Sequence, residues 1–318
     1  GATGLSKNRA GNDSMDNELT VLDFESKEGK KALLVNFACH PVIMQVQPMI
    51  SADYPGALTR MVEESLPPGS LCLFLQGACG DINPLNDDTR NFDDVEKTGS
   101  ALAKEVRLLS LRSPPIGGML ASAEPLAKPG VDLSAVASWR RPEAGVGTDQ
   151  RKMTLATESL IKPELRAVAR TEAFKSCPLP DLDNTTRIER EAAELERQVA
   201  GGSRAKSVTN RLALLHETLA RVRQGDEDRP AFLQLIRIES TVLFAMPFEP
   251  CCLLGRQLKQ MVAPLIGVPV GYANGYLGYV MEPSTGKGYE TLCGPWNQLN
   301  QQAFNLTKEH FSKMLAEL

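Results

Sequence analysis

Chemistry-bearing side chains follow apolar stretches of this sequence, at places where the strands of a layered protein end. His40 lies near the end of the segment Asn36–Pro41, directly before the proline, and Glu249 follows the apolar run Phe232–Met246. A cluster of tyrosines occupies Gly271–Tyr279. An imidazole, a carboxylate and phenols together suit a cation such as zinc. Taken one at a time, the same side chains also fit a satisfied strand-end histidine and a carboxylate in the first turn of a helix.

A glycine-punctuated turn lies in the segment Gln76–Pro84, directly after an apolar run. Glycines allow close approach of a ligand, so the backbone amides of Gly77 and Gly80 are candidates for stabilising an oxyanion. Asp81 is then expected to position the substrate. A tight structural turn with Asp81 as an Asx cap accounts for the same pattern.

Three further polar side chains are candidate substrate-binding residues, namely Asp53, Gln76 and Asn83. Asp53 precedes a predicted helix. It is therefore either a carboxylate that orients the substrate or the N-cap of that helix.

The spacing of apolar residues predicts the elements that must position these groups. Alternation and β-branched residues predict strands at Leu19–Glu25, Ala32–Ala38, Leu71–Leu75, Phe232–Met246 (two strands) and Val268–Tyr272. Helical spacing predicts helices at Tyr54–Ser65, Asp93–Leu109 and Pro250–Val262. This order of elements is typical of an α/β fold, here a layered mixed β-sheet domain with flanking helices.

Charged helix formers dominate from about Trp139 to Arg229. Within that range, two apolar stripes with alternating steps of three and four residues, Ile188–Val199 and Val208–Val222, flank a pair of glycines. These stripes predict two antiparallel helices packed along a seam. We therefore expect one catalytic domain over residues 1–318, with an inserted helical hairpin at about 150–228.

Composition excludes several classes of function. The 35 basic and 39 acidic residues give a net charge of −4, which argues against a nucleic-acid binder with a basic face. No apolar run approaches the roughly 20 residues that a transmembrane helix needs. Seven cysteines without a C-x-x-C pair indicate neither a disulfide framework nor a zinc ribbon, and Cys72 and Cys79 are interpreted as buried apolar side chains. The oligomeric state stays open.

Five short segments in this order resemble the neutral/alkaline non-lysosomal ceramidase family, and more closely its bacterial relatives. They read NFACHP, ISADYPG, FLQGACGDINP, MPFEP and GYANGY, and the resemblance runs from about Asn8 to Glu290. It implies hydrolysis of an amide bond in a small-molecule or lipid-like substrate by a zinc-activated water. It also implies a secreted or periplasmic protein, although the first residues of this chain lack the apolar core of a signal peptide.

The resemblance further implies a set of zinc ligands. The family's zinc is held by two histidines, a glutamate and a tyrosine, and the matching positions here are His40, Glu249 and Tyr276. Tyr289 matches a tyrosine near the family's site and is a candidate proton donor. No histidine precedes His40. We therefore expect the remaining histidine ligand either upstream, in a longer protein of which this chain is the C-terminal portion, or on another chain.

One departure from the family pattern leaves alternatives open. The family's serine in a Q-S-N-x-G-D segment corresponds to Gly77, which has no hydroxyl. The leading interpretation is a zinc-dependent hydrolase of an amide or related acyl bond, because a metal-activated water needs no serine. The first alternative is a non-catalytic ceramidase-like protein that binds a ligand. The second is an interaction module built on the helical hairpin Arg187–Arg223.

Overall fold

The described part of the chain alternates strands and helices. The computed structural model describes residues 4–10, 14–25, 29–45, 47–87, 89–112, 119–123, 165–175, 182–202, 204–224, 228–238, 240–286, 288–291 and 296–318. The helices are α1 (Asp53–Glu63), α2 (Phe92–Arg112), α3 (Leu182–Ala200), α4 (Lys206–Gln224), α5 (Cys252–Met261) and α6 (Ala303–Leu315). The strands are β1 (Ser6–Asn8), β2 (Leu19–Glu25), β3 (Lys31–Phe37), β4 (Leu71–Gln76), β5 (Ile82–Pro84), β6 (Met119–Ala123), β7 (Leu165–Lys175), β8 (Asp228–Ile238), β9 (Thr241–Ala245), β10 (Glu249–Pro250), β11 (Ile266–Val270) and β12 (Tyr279–Val280). Within these described ranges, no helix combines the length and the apolar character needed to cross a bilayer.

Two four-stranded mixed sheets form the centre of the molecule. The first has the strand order β4-β3-β2-β6, and the second has the order β11-β9-β8-β7. In each sheet an antiparallel pair, β2–β3 or β8–β9, carries a parallel strand on one side, β4 or β11. Each parallel pair therefore ends at one edge of its sheet, where the following loops can present side chains to a site.

The two sheets pack face to face between layers of helices. Side chains alternate across a strand, and Leu22 and Phe24 of β2 meet Leu243 of β9 in the core between the sheets. Leu19 and Val21 point to the opposite face of β2 and pack with α1 and α2. The outer face of the second sheet packs with α5 and α6. The resulting order of layers is helix, sheet, sheet, helix, which confirms the predicted α/β class.

The predicted helical hairpin is present, but its helical part is shorter than expected. Helices α3 and α4 pack together through Ala192, Leu215 and Leu219. Leu165–Lys175 lies inside the expected insertion, yet it forms strand β7 and pairs antiparallel with β8. The expectation is corrected there, because pairing with a sheet edge outweighs the helix propensity of alanines and charged residues. Positions 150–164 of the expected insertion lie outside the described residues.

A buried ion cluster fastens the N-terminal segment to α5. Lys259 Nζ lies 2.6 Å from Asp16 Oδ2 and 2.9 Å from Glu18 Oε2. Burial by itself lowers the pKa of Lys259, but the two carboxylates more than compensate and raise the pKa above its ordinary value. The lysine is therefore the cation that the buried carboxylate of Asp16 and the partly buried carboxylate of Glu18 share.

Lys259→Ala is expected to lower the free energy of unfolding by about 3 kcal/mol, because the buried carboxylate of Asp16 and the partly buried one of Glu18 lose their shared cation. Urea denaturation followed by circular dichroism measures the change. The matched control is Lys97→Ala, whose ion pair with Asp94 lies at the surface with 75% of the lysine side chain exposed. This variant should change stability little. Equal losses in the two variants would contradict a stabilising role for the buried cluster.

Candidate metal and catalytic site

The candidate site lies where the two sheets meet, at the carboxyl ends of their parallel strand pairs. His40 follows β3, and the turn Gly77–Asp81 follows β4. Glu249 follows β9 and pairs, as part of β10, with β12. The tyrosine-rich segment Gly271–Tyr279 follows β11. The strand-end positions selected from the sequence thus lie at neighbouring edges of the two sheets.

Hydrogen bonds join these two edges directly. The amide of Gly271 donates to the carbonyl of Gln76 over 2.9 Å. The side chain of Asn36 donates through Nδ2 to the carbonyl of Pro269 over 3.0 Å. Each bond links one sheet to the other, so one backbone bond and one side-chain bond hold the relative position of the two edges.

His40, Glu249 and Tyr276 converge on one another. His40 Nε2 lies 2.5 Å from Glu249 Oε2, and Tyr276 Oη donates to Glu249 Oε1 over 2.5 Å. His40 and Glu249 are buried, with 6% and 3% of their surface exposed, whereas Tyr276 is 43% exposed. The structure therefore brings together the three residues that the family resemblance implies as ligands. Their role as ligands stays a prediction.

The second nitrogen of His40 fixes the orientation of the ring. Nδ1 lies 3.0 Å from the carbonyl oxygen of Ile82, which can only accept, so Nδ1 carries a proton. A neutral ring then directs the lone pair of Nε2 at the Glu249 carboxylate. Only a proton or a cation between these two acceptors makes that contact favourable.

The protonation of the pair follows from the same contacts. Burial by itself lowers the pKa of His40, but the neighbouring Cys79 and Glu249 raise it to about 10. Burial raises the pKa of Glu249, and the opposing contact with His40 leaves that pKa below its ordinary value. Without an ion, the pair is therefore an imidazolium facing a carboxylate.

Cys79 supplies a third donor, which the sequence patterns had assigned to apolar packing. Its sulfur, one ring nitrogen of His40 and one carboxylate oxygen of Glu249 all lie within 4.8 Å of one another, and all three residues are buried. The set fits zinc, which binds imidazole nitrogen, carboxylate oxygen and thiolate sulfur in proteins. The position of Cys79 in a glycine-rich turn after a strand was the available signal.

Tyrosines line the exposed side of this cluster. The rings of Tyr272 and Tyr276 stack with their centres 5.9 Å apart. Tyr272 Oη also lies 3.9 Å from the sulfur of Cys79. Burial and the hydrogen bond to Glu249 raise the pKa of Tyr276 above its ordinary value, so its hydroxyl stays protonated and donates.

Tyr289, the predicted proton donor, lies farther from His40 than Tyr279 does, because the ring of Tyr279 stands between them. It contacts Tyr279 edge-to-face at 5.7 Å and stacks on Trp296 at 5.2 Å. Tyr279 is in turn 6.3 Å from the ring of His40. Burial raises the pKa of Tyr289 above its ordinary value, so the phenol keeps its proton at neutral pH. The tyrosine is 49% exposed and borders the cluster, and its catalytic role stays a prediction.

Arg9 places a positive charge beside the cluster. Its guanidinium donates to the carbonyl of Gly80 over 3.0 Å, lies 3.0 Å from Glu290 Oε1 and covers the ring of Tyr279 at 5.7 Å. Burial lowers the pKa of Arg9, but Glu290 and Tyr279 raise it above its ordinary value. No sequence pattern indicates Arg9, because this residue reaches the site only through the pairing of β1 with β5.

The two amides predicted to stabilise an oxyanion are already engaged. Gly77 N donates to the carbonyl of Phe37, and Gly80 N donates to the carbonyl of Pro250, both over 2.9 Å. These bonds argue against the predicted oxyanion role. The glycines instead allow close packing, since an added Cβ would lie 2.9 Å from a backbone atom of Phe37 at Gly77 and 3.1 Å from one of Pro250 at Gly80.

Asp81 holds the scaffold together instead of facing the cluster. Its Oδ1 accepts a hydrogen bond from the amide of Cys252, the first residue of α5, over 2.7 Å. Its Oδ2 accepts from Asn8 Nδ2 over 3.0 Å. Burial raises the pKa of this carboxyl. The structure thus favours a capping role, although the capped helix is remote in sequence.

The three predicted substrate-binding residues are bonded to the protein itself. Asp53 accepts from the amides of Met44 and Tyr54, Gln76 donates to the carbonyl of Cys39, and Asn83 donates to the carboxylate of Asp87. These contacts order the loops around His40. They give no support to direct contact with a substrate.

Two solved structures that share this fold are ceramidases. Neutral ceramidase from Pseudomonas aeruginosa matches 96% of this chain and 49% of its own, with a TM-score of 0.56 and 16% identity. A ceramidase complexed with C2 matches 96% of this chain and 50% of its own, with a TM-score of 0.56 and 13% identity. In sequence, a neutral ceramidase of Mycobacterium tuberculosis is 36% identical over 75 residues, 20% of this chain and 12% of that protein. No family model matches the chain.

The protein is thus a layered α/β protein with a buried cluster of side chains of the types that bind metal ions. It resembles the neutral ceramidases in a short stretch of sequence and shares their fold over nearly its whole length, which confirms the resemblance found in the sequence. The chain spans about half the length of the two solved structures, and the sequence match covers 12% of the curated relative.

Proposed function

We propose that this chain carries the site of a zinc-dependent hydrolase that cleaves an amide or a related acyl bond. The observation behind the proposal is the contact between His40 Nε2 and Glu249 Oε2, with Nδ1 held by the carbonyl of Ile82. Because that carbonyl keeps the proton on Nδ1, the second nitrogen is prepared to bind a cation. The donor types around it are those that zinc prefers.

Each residue of the site has a distinct part in this proposal. His40 and Glu249 hold the ion, which supplies Lewis acidity and lowers the pKa of water when bound. Tyr276 donates to Glu249 Oε1 and so keeps the other oxygen turned toward His40. Arg9 provides positive charge near the substrate carbonyl, whose oxygen becomes anionic when water attacks. Tyr289 keeps its proton at neutral pH and can deliver it to the leaving amine.

The proposed substrate is a small-molecule or lipid-like amide. Tyr272, Tyr276 and Tyr289 are partly exposed and present aromatic faces next to the donors. Aromatic faces bind apolar chains while their hydroxyls reach polar groups. The proteins that match this chain are named after ceramide, which is a lipid amide, and this favours an N-acyl lipid among such substrates.

A non-catalytic protein of the same fold that binds a ligand is the second candidate. Gly77 favours it, because the position lacks a hydroxyl. A serine side chain there would collide with the backbone of Phe37 and Ala38. The two candidates differ in one observable property, which is turnover that depends on the metal.

Zinc-dependent turnover tests the proposal. The purified chain is assayed on long-chain and short-chain N-acyl amides and on esters, before chelation, after it and after zinc is restored. His40→Ala is expected to lose its zinc and to lower turnover at least about 100-fold. Even the loss of a residue that only hydrogen-bonds to a metal ligand lowers metal affinity or activity by about 10–100-fold. The matched control is His216→Ala on α4, an exposed histidine bonded to Glu196, which should keep both properties.

Two outcomes would contradict the hydrolase. One is full turnover in His40→Ala, and the other is turnover that survives complete removal of the metal. Zinc that binds tightly without turnover of any substrate would favour the non-catalytic candidate instead.

A further inference from the structure

The thiol of Cys79 lies next to side-chain donors of a histidine, a glutamate and a tyrosine, whereas the other free cysteines of the described residues belong to apolar cores. Those four pack in the apolar cores next to the helices: Cys39, Cys72, Cys251 and Cys252. The sulfur of Cys79 lies 3.9 Å from Tyr272 Oη and within 4.8 Å of donor atoms of His40 and Glu249. A buried thiol in such surroundings is placed for coordination and not for apolar packing.

The turn that carries Cys79 is pressed against both sheets. An added Cβ at Gly80 would lie 2.8 Å from the carbonyl oxygen of Glu249, so only glycine allows this approach. The amide of Ile82 donates to the carbonyl of Cys79 over 2.8 Å. The carbonyl of the same Ile82 accepts from His40 Nδ1. One short segment therefore orients the imidazole and places the thiol beside it, which is the support that a metal site needs.

We propose that Cys79 Sγ is a direct ligand of the zinc ion and takes the place that the ceramidase resemblance assigns to a second histidine. The inference rests on the proposed function, because it assumes that zinc binds between His40 and Glu249. Binding replaces the S–H bond by an S–Zn bond and releases the proton to solvent. This chain then supplies three protein ligands by itself, the number typical of catalytic zinc sites with an open position.

The sulfur also changes which ions the site accepts. A thiolate is a softer donor than imidazole or carboxylate, and soft donors select zinc against magnesium and calcium. Tyr276 stays hydrogen-bonded to Glu249, as in this structure, and orients that ligand from outside the coordination sphere.

X-ray absorption at the zinc edge reads the ligand type without an assay of activity. We expect one sulfur at about 2.3 Å from zinc in the wild-type chain and in the control variant Cys72→Ala. Cys79→Ala should show only nitrogen and oxygen donors, with zinc affinity lowered about 10–100-fold or more. Cobalt loading of the wild-type chain gives a second readout, since a thiolate ligand produces intense charge-transfer absorption in the near ultraviolet.

The outcomes separate this inference from the proposed function. A wild-type site with nitrogen and oxygen donors alone would overturn the role of Cys79 and leave the hydrolase standing, and so would a sulfur signal that persists in Cys79→Ala. A wild-type chain that binds no zinc would end both. The wild-type spectra need no variant, and Cys79→Ser replaces Cys79→Ala if the alanine variant does not fold.

Discussion

Replacing Glu249 with glutamine should lower the zinc affinity of the chain at least about 100-fold, because loss of even an outer partner of a ligand costs 10–100-fold. Both carboxylate oxygens are committed to the cluster, one to His40 and the other to Tyr276. Glutamine keeps the shape of the side chain but replaces an anion with a neutral amide. Titration of zinc against a competing chelator measures the change.

The control for this variant is Glu96→Gln. Glu96 lies on α2, at the surface, where it accepts from Arg60 over 2.6 Å. The Glu96→Gln variant removes the same charge from the chain at a position outside the cluster, and it should leave zinc affinity unchanged. Wild-type affinity in Glu249→Gln would show that zinc binds elsewhere, and the metal site proposed above would fall.

Gly77→Ser is expected to lower the free energy of unfolding by about 3 kcal/mol, because the added atoms overpack a closed contact. The Cβ would lie 2.9 Å from Cα and N of Ala38 and from the carbonyl carbon of Phe37. These are backbone atoms, so they cannot turn aside as a flexible side chain does. The end of β3 must move, and His40 lies two residues beyond Ala38. We therefore expect weaker zinc binding and no gain of turnover from the restored hydroxyl.

Gly286→Ser is the matched control, since an added Cβ there meets no heavy atom within 4 Å. Its unfolding curve in urea should overlay that of the wild-type chain. A Gly77→Ser variant that is as stable as this control and more active than the wild type would show that the turn accommodates a serine. In that event the departure from the family pattern would be a loss of function.

Local patterns predict the elements that the core builds on. Strands β2 and β3 lie within a residue of their expected bounds, and α5 (Cys252–Met261) lies inside the predicted Pro250–Val262. The reason is physical: the two faces of β2 enter two different cores, so apolar residues are needed on both faces. The strand-end rule for layered folds pointed to His40 and Glu249, whereas Tyr276 was singled out only by the family resemblance.

Contacts between distant parts of the chain could not be predicted in the same way. The helix end that Asp81 caps is 171 residues away in sequence. Arg9 arrives beside the cluster through a short strand pair. Leu165–Lys175 looks helical because its composition favours helices, and only its pairing with β8 decides otherwise. Cys79 is buried, as predicted, but its position beside an imidazole and a carboxylate depends on segments far apart in the sequence.

The two sheets meet at the donors, and this has a consequence for the apolar interior. Two donors come after strands of one sheet, and Glu249, 209 residues beyond His40, comes after a strand of the other. The distances between the donors therefore depend on how the two sheets pack against each other. Leu22 and Leu243 pack between the two sheets. Methyl-sized changes at such positions are therefore expected to alter the distances between the donors of the proposed metal site before they prevent folding.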